Sequence, residues 1–276
     1  LPISKLFNSV QKAEVSWKRI KPLMKSPEAL DALRIPQSAD VTLDNLSFTY
    51  GDAPIFSGLS LTVHPGDIIG VTGPVACGKS TFGRVFLCEM PYSGSVRFGG
   101  KELSSFSPRE ISGMVGYLGH DPELSMDTIQ NNVLFGSRQD VLPQLNAVVL
   151  TYEVLAMENG ADTVVGSSGI RLSGGQAQRL ALARTLAHPR PLMILDDPFS
   201  ALDRKTEDAV FANLQAYAKD KVIFLISHRL YHFPQMQQVI FMEDGKTTVG
   251  THDELMASVP TYRWLYESQG GGEAHA

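Results

Sequence analysis

Hydrophobic and polar positions follow two rhythms along this chain. Leu59, Leu61 and Val63 alternate with polar neighbours, as on a half-buried strand, and Val96 and Phe98 repeat the pattern. Val41 to Tyr50 reads as a further strand with a break near Asp44-Asn45. Together these predict an antiparallel sheet. Elsewhere the apolar residues run without interruption. The stretch from Asp67 to Thr72, Leu192–Leu195 and Val222–Ile226 are strand-sized and read as buried. Val239–Met242 leads into Glu243-Asp244-Gly245-Lys246, a hairpin-like turn.

Helical spacing takes over in other stretches. Residues 4–25 carry Phe7, Val10, Trp17, Ile20 and Met24 among lysines, and Ser80 to Met90 reads as a helix. From about Thr128 to His188 helical patterns dominate, broken near Gly160 and Gly166–Gly169. That stretch is a helical insertion in an otherwise α/β chain. Ser173 is placed to cap the helix running through Leu180, Leu182 and Leu186. Thr251-His252-Asp253-Glu254-Leu255 resembles another helix start.

Ile35-Pro36-Gln37-Ser38 is a linker, which predicts a helical leader over 1–35 and a main domain over 36–268. The helical subdomain falls at about 120–188, and 269–276 reads as a flexible tail. With 276 residues and 43% hydrophobic content, the chain can build a real core. No apolar run approaches the roughly 20 residues of a membrane span. A chain opening on Leu is expected to be a piece of a longer one.

Charge is uneven. The net charge is −5, but residues 1–35 hold seven Lys/Arg against three Asp/Glu, which leaves −9 for the rest. An acidic body argues against nucleic acid as the partner. The basic leader fits either a solvated helix or a segment beside the cytoplasmic end of a membrane helix. The two cysteines, Cys77 and Cys88, do not make a disulfide framework.

The candidate chemistry centres on Gly73-Pro74-Val75-Ala76-Cys77-Gly78-Lys79-Ser80-Thr81, which fits G-x-x-x-x-G-K-S. Glycines let the backbone turn tightly, and successive N–H groups then form a concave anion site. Lys79 supplies a mobile cation for outer phosphates, and the Ser80 hydroxyl suits magnesium. A strand before and a helix after complete the context, the helix dipole favouring phosphate. Chance would produce the pattern in a chain this long with a probability on the order of 1%.

Other stretches add to it. The strand Pro191 to Asp196 ends on Asp196-Asp197, a natural magnesium partner beside a phosphate loop. Ser227-His228-Arg229 ends the next strand, where a His can face a γ-phosphate or be an ordinary loop residue. Gly174 and Gly175, at a helix start, form a second potential anion site or simply a capped helix. Tyr50 can stack on a purine or be a plain strand aromatic.

These motifs, in this order, resemble the nucleotide-binding domain of an ATP-binding cassette (ABC) transporter over about Val41 to Leu265. The phosphate loop Gly73–Thr81, the signature Leu172-Ser173-Gly174-Gly175-Gln176, the strand Leu192–Asp196, the loop Ser200-Ala201-Leu202-Asp203 and His228 each match a family motif. The resemblance implies a P-loop NTPase fold, a RecA-like core with a flanking antiparallel β-subdomain and an inserted α-helical subdomain. It implies ATP and Mg2+ as cofactors, with Ser80 and Asp196 positioning the metal and Tyr50 stacking on adenine. It implies head-to-tail pairing with a second such domain, whose ATP meets Ser173, Gly174, Gly175 and Gln176, with Asp203 in the adjoining loop. Asn131-Asn132-Val133-Leu134-Phe135-Gly136 and Gly250–Leu255 look like exporters with a fused permease half. Contact with that half through coupling helices, at the cytoplasmic face of the membrane, is then expected.

Three positions depart from the family pattern. Asp197 stands where the family has a catalytic Glu, and His120 stands where it has a Gln near the water and the magnesium. Ser167 stands where many exporters carry Glu. The expectation is the degenerate half of a heterodimeric exporter, with catalytic positions Asp197, His228 and His120, the last also a metal position. A regulatory ATP-binding module, or a cassette ATPase of a non-transport system, is the alternative.

Overall fold

The computed structural model describes Glu14, Trp17 and residues 38–51, 53–121, 123–166 and 169–270. The chain divides into two units, Leu1–Arg34 and Ile35–Ala276. In the first, Glu14 and Trp17 are helical; the rest of the expected 1–35 leader lies outside the described residues, as do Ser167 and the tail beyond 270.

In the second unit, β1 (Val41–Tyr50), β2 (Ala53–Val63), β4 (Ser93–Phe98) and β5 (Lys101–Glu102) form an antiparallel sheet in the order β2-β1-β4-β5. The break expected in β1 is real. Asn45 has φ 49°, and the β1–β2 register shifts between Leu43 and Leu46. The second sheet has the order β10-β9-β3-β8-β7-β6. Its strands are β3 (Ile68–Thr72), β6 (Val115–Leu118), β7 (Leu192–Asp196), β8 (Val222–Ile226), β9 (Gln238–Glu243) and β10 (Lys246–Gly250). β3, β7 and β8 are buried at all five positions, which explains their unbroken apolar runs. The β9–β10 hairpin turns through Asp244 and Gly245, both at positive φ.

The helices are α1 (Lys79–Val85), α2 (Pro108–Met114), α3 (Ile129–Leu134), α4 (Leu142–Ala147), α5 (Thr151–Leu155), α6 (Gly174–Ala187), α7 (Arg204–Tyr217), α8 (His252–Ser258) and α9 (Pro260–Ser268). α1 is shorter than the Ser80–Met90 reading. It tightens after Val85, where the Leu87 and Cys88 amides donate to the Arg84 and Val85 carbonyls, and Cys88 sits at φ 54°. Aromatic packing fixes the helix itself. Phe82 and Phe86 both clamp on Phe224 of β8, at 5.5 and 5.0 Å between centroids, and Phe56 of β2 meets Phe82 at 6.0 Å. Leu87, Cys88 and Met90 still pack against this core beyond the helix end. Each fully buried ring contributes about 2–3 kcal/mol, so this cluster holds α1 against the sheet.

Strand direction decides where the chemistry gathers. β3, β8, β7 and β6 are neighbours in that order and mutually parallel. Their C-terminal ends therefore share one edge. The loops leaving that edge carry the Gly73–Thr81 segment, His228, Asp196-Asp197 and His120, which are far apart in sequence.

Candidate functional site

The loop from Gly73 to Gly78 joins β3 to α1 and owes its shape to three positive φ values: Gly73 at 154°, Ala76 at 64° and Gly78 at 98°. Two of them require glycine. A Cβ on Gly73 would stand 2.0 Å from the Met242 carbonyl oxygen of β9, and one on Gly78 would stand 2.1 Å from Ile55 Cγ2. Gly73→Ala is therefore expected to destabilise the domain by on the order of 3 kcal/mol, because backbone must move against backbone. A urea unfolding midpoint equal to that of the wild type would contradict this packing.

Inside the loop lies Lys79, 6% exposed. Its Nζ donates to the Gly73 and Pro74 carbonyls at 2.9 and 2.8 Å, and Cys77 Sγ stands 3.7 Å away. Burial pushes the Cys77 thiol above its usual pKa, against the pull of Lys79. Val75 and Ala76 are exposed at the crest, Ser80 is exposed at the start of α1, and Thr81 is half-buried behind it.

Facing the loop are two buried carboxylates, Asp196 and Asp197, 3% and 5% exposed. Asp196 Oδ2 and Asp197 Oδ1 have no hydrogen-bond partner. Burial pushes the Asp196 pKa up, while the Ser80 hydroxyl, His120 and Lys79 pull it down and Asp197 adds repulsion. Asp197 leaves β7 at φ 52°, its amide donating to the Ile226 carbonyl at 2.8 Å. Its own carbonyl accepts from Gln178 Nε2 at 3.1 Å. His120 Nδ1 is 3.7 Å from Asp197 Oδ2. Partial loss of hydration, and then the Lys79 ammonium, hold the His228 pKa below its usual value.

The arrangement suits a magnesium–nucleotide. Two buried carboxylate oxygens lack partners, and a buried cation is turned onto backbone carbonyls it could exchange for phosphate oxygens. Among the described residues no three His, Cys, Asp or Glu side chains converge to hold a metal by themselves. An ion here would draw its remaining ligands from phosphate and water, as Mg2+ characteristically does.

Tyr50 is 51% exposed, braced edge-on by Phe48 at 4.9 Å and bonded through its hydroxyl to Met90 Sδ at 3.6 Å. The ring is thus held on a buried neighbour with surface to spare for a flat ligand.

The signature segment stands apart. Ser173 Oγ accepts from the Gln176 amide and the Ser173 amide donates to Gln176 Oε1, a reciprocal capping box at the start of α6. Gln176 Nε2 donates to Glu153 Oε2 at 2.7 Å, and Glu153 Oε1 pairs with Arg179 at 2.6 Å. A Cβ on Gly175 would come within 2.7 Å of the Ala201 carbonyl, so the helix start abuts the Ser200–Asp203 loop. Among the described residues no hydrogen bond links 173–176 to the phosphate loop. Asp203 is occupied in capping α7, accepting from the Thr206 amide and hydroxyl at 3.0 and 2.6 Å.

The structure thus gathers Lys79, Ser80, Asp196, Asp197, His120 and His228 into one electrostatic neighbourhood and leaves Ser173–Gln176 outside it. Gln178, which anchors the Asp197 carbonyl, and Glu153, which fixes Gln176, belong to none of the motifs legible in the sequence. Gln178 lies two residues past the signature and on its own reads as a helix-surface amide.

A loop of this shape between a strand and a helix, with carboxylates at the end of a neighbouring parallel strand, defines a phosphate-loop nucleotide-binding domain. Residues 56–200 match the family described as ABC transporter. The chain belongs to that family, and its fold is the P-loop NTPase fold expected from the motifs. It is 30% identical over 279 residues to the probable multidrug resistance ABC transporter ATP-binding/permease protein YheI of Bacillus subtilis, covering 97% of this chain and 48% of that protein. It is 36% identical over 241 residues to the ATP-dependent lipid A-core flippase of Burkholderia pseudomallei, covering 84% of this chain and 40% of the relative. A bacterial Atm1-family ABC exporter solved with ATP bound superimposes with a TM-score of 0.83 at 26% identity, covering 97% of this chain and 49% of that one. The chain spans about half the length of these relatives or less. Among the described residues no helix is long and apolar enough to cross a membrane.

Proposed function

We propose that this chain is the ATP-binding and ATP-hydrolysing cassette of a membrane exporter, working at the cytoplasmic face beside a permease half. The observation that carries the reading is the pair of partnerless buried carboxylate oxygens set against a buried lysine in a glycine loop. The exporter assignment draws on the relatives, which combine such a cassette with a longer chain. Their names point to unlike cargoes, so none is transferred.

In this reading Lys79 and the amides of Gly73 to Thr81 hold the phosphates, and Tyr50 stacks on adenine. Ser80, Asp196 and His120 would hold Mg2+, which when bound neutralises charge on the phosphate oxygens. Asp197 orients and deprotonates the attacking water, and His228 steadies the γ-phosphate. The low pKa of His228 keeps it neutral near pH 7, able both to accept and to donate. Ser173, Gly174, Gly175 and Gln176 serve the nucleotide of a second cassette in a head-to-tail pair. Their separation from the phosphate loop supports that division of labour.

The chain is further proposed to be the weaker partner of a heterodimer. The Asp197 side chain is short, and its backbone is pinned at both amide and carbonyl, so the carboxylate cannot advance toward the water. An ATP-binding module with negligible turnover is the limiting case of the same reading. Calorimetry tests the core of it: Mg·ATP should bind one per chain, and ATP in excess EDTA should bind at least tenfold more weakly. Absence of Mg·ATP binding by folded protein ends the proposal.

A further inference from the structure

The loop that carries His228 is held from an unexpected direction. Gln269 lies just past α9, at the start of the segment 269–276. Its Nε2 donates to the His228 carbonyl at 2.8 Å, and its Oε1 accepts from the Leu230 amide at 2.9 Å. One amide side chain therefore grips the backbone on both sides of Arg229. α9 is itself fixed. Tyr262 is fully buried, meets Phe241 of β9 edge-on at 5.7 Å and bonds His252 Nδ1 through its hydroxyl at 2.8 Å.

Arg229 carries the connection onward. Its amide donates to Ser227 Oγ at 2.9 Å. Its guanidinium donates to the carbonyls of Leu202 at 2.6 Å and Ser200 at 3.2 Å, and to Glu207 Oε2 at 2.9 Å. Glu207 is 1% exposed, so the ion pair is anchored in the core beneath α7. The Ser200–Asp203 loop, the His228 loop and the end of α9 thus form one bonded chain. Planar groups make the links: the Gln269 amide spans a donor and an acceptor, and the Arg229 guanidinium spans three acceptors, in fixed geometry.

We propose that Gln269 and Arg229 are positioning residues: Gln269 sets the His228 loop, and Arg229 ties that loop to the Ser200–Asp203 segment so that the two move as one body. The inference rests on the reading that His228 meets the γ-phosphate. It adds that the end of α9, remote in sequence from the phosphate loop and from His228, governs how well the domain tells a triphosphate from a diphosphate.

The test uses the whole 276-residue chain. Mg·ATP and Mg·ADP affinities are measured by calorimetry for wild type, His228→Ala, Gln269→Ala and Gln269→Glu, with amide exchange followed at Leu230. Gln269→Ala should lower the ATP-to-ADP affinity ratio three- to tenfold with ADP affinity unchanged, and speed Leu230 exchange at least tenfold. Gln269→Glu keeps the acceptor for the Leu230 amide and loses the donor to His228. It should restore the protection of Leu230 without restoring the ratio, and it carries the test should the alanine variant not fold. A ratio lowered by His228→Ala but not by either Gln269 variant overturns this proposal alone. A ratio untouched by all three overturns the γ-phosphate reading of His228 and this proposal with it.

Discussion

Lys79→Met is expected to weaken Mg·ATP binding by about 100-fold, the equivalent of about 2.7 kcal/mol. The methionine keeps most of the volume of a side chain that is 6% exposed, so the loop need not collapse. What disappears is a cation whose present acceptors are the Gly73 and Pro74 carbonyls, both replaceable by phosphate oxygens. Charge-assisted bonds to ionised groups are each worth about 1.5–3 kcal/mol, and a phosphate offers at least one. The effect separates cleanly from folding. At a nucleotide concentration 100 times its Kd, wild type gains about 2.7 kcal/mol of stability from binding, whereas a variant 100-fold weaker gains about 0.4 at the same concentration. Thermal melts with and without Mg·ATP read that difference directly. Equal ligand-induced shifts in both proteins would mean that nucleotide does not lie against Lys79.

Much of this site was legible because its parts are contiguous. A strand, a glycine loop and a helix start occupy consecutive residues, and so do the capping box at Ser173 and Gln176 and the two carboxylates closing β7. Local chemistry sets those features, and local sequence reports it. The layout of the larger sheet was half legible. Unbroken apolar runs marked β3, β7 and β8 as buried, but their order and parallel direction follow from packing across the whole domain.

The rest depended on contacts between distant residues. Helical periodicity runs on past Val85, and only the structure shows the chain tightening there and passing through a left-handed Cys88. Gln269 looked like the first residue of a tail, because nothing near it in sequence signals the His228 carbonyl 41 residues away. Arg229 was hidden by its neighbour, the histidine that drew attention first. The pairing of His120 with Asp197 lay in two substitutions that sequence could place near one water but not 3.7 Å apart.

That pairing bears on the second large effect. Asp197→Glu is expected to raise hydrolysis at this chain's own phosphate loop by roughly 10- to 100-fold, provided a partner cassette supplies its signature segment. Asp197 leaves β7 in a left-handed backbone conformation, with its amide on Ile226 and its carbonyl held by Gln178. The main chain at this point cannot shift to bring a short side chain forward. A displacement of about 1 Å at a catalytic group costs on the order of 100-fold, and one methylene is of that size. The longer side chain has to be fitted at a site only 5% exposed, but it displaces no hydrogen bond of Asp197 Oδ1, which has no partner. His120 offers a competing outcome. Its Nδ1, 3.7 Å from the present carboxylate, stands close enough to a longer one to hold it in a hydrogen bond, which would cap the gain near tenfold; His120→Gln in the same background would release the remainder. Single-turnover hydrolysis in the assembled pair distinguishes the cases, since product release then does not mask the chemical step. Brisk turnover by the unaltered chain, with no gain from Asp197→Glu alone or together with His120→Gln, would show that the aspartate is already a competent base and that the weak-partner assignment is mistaken.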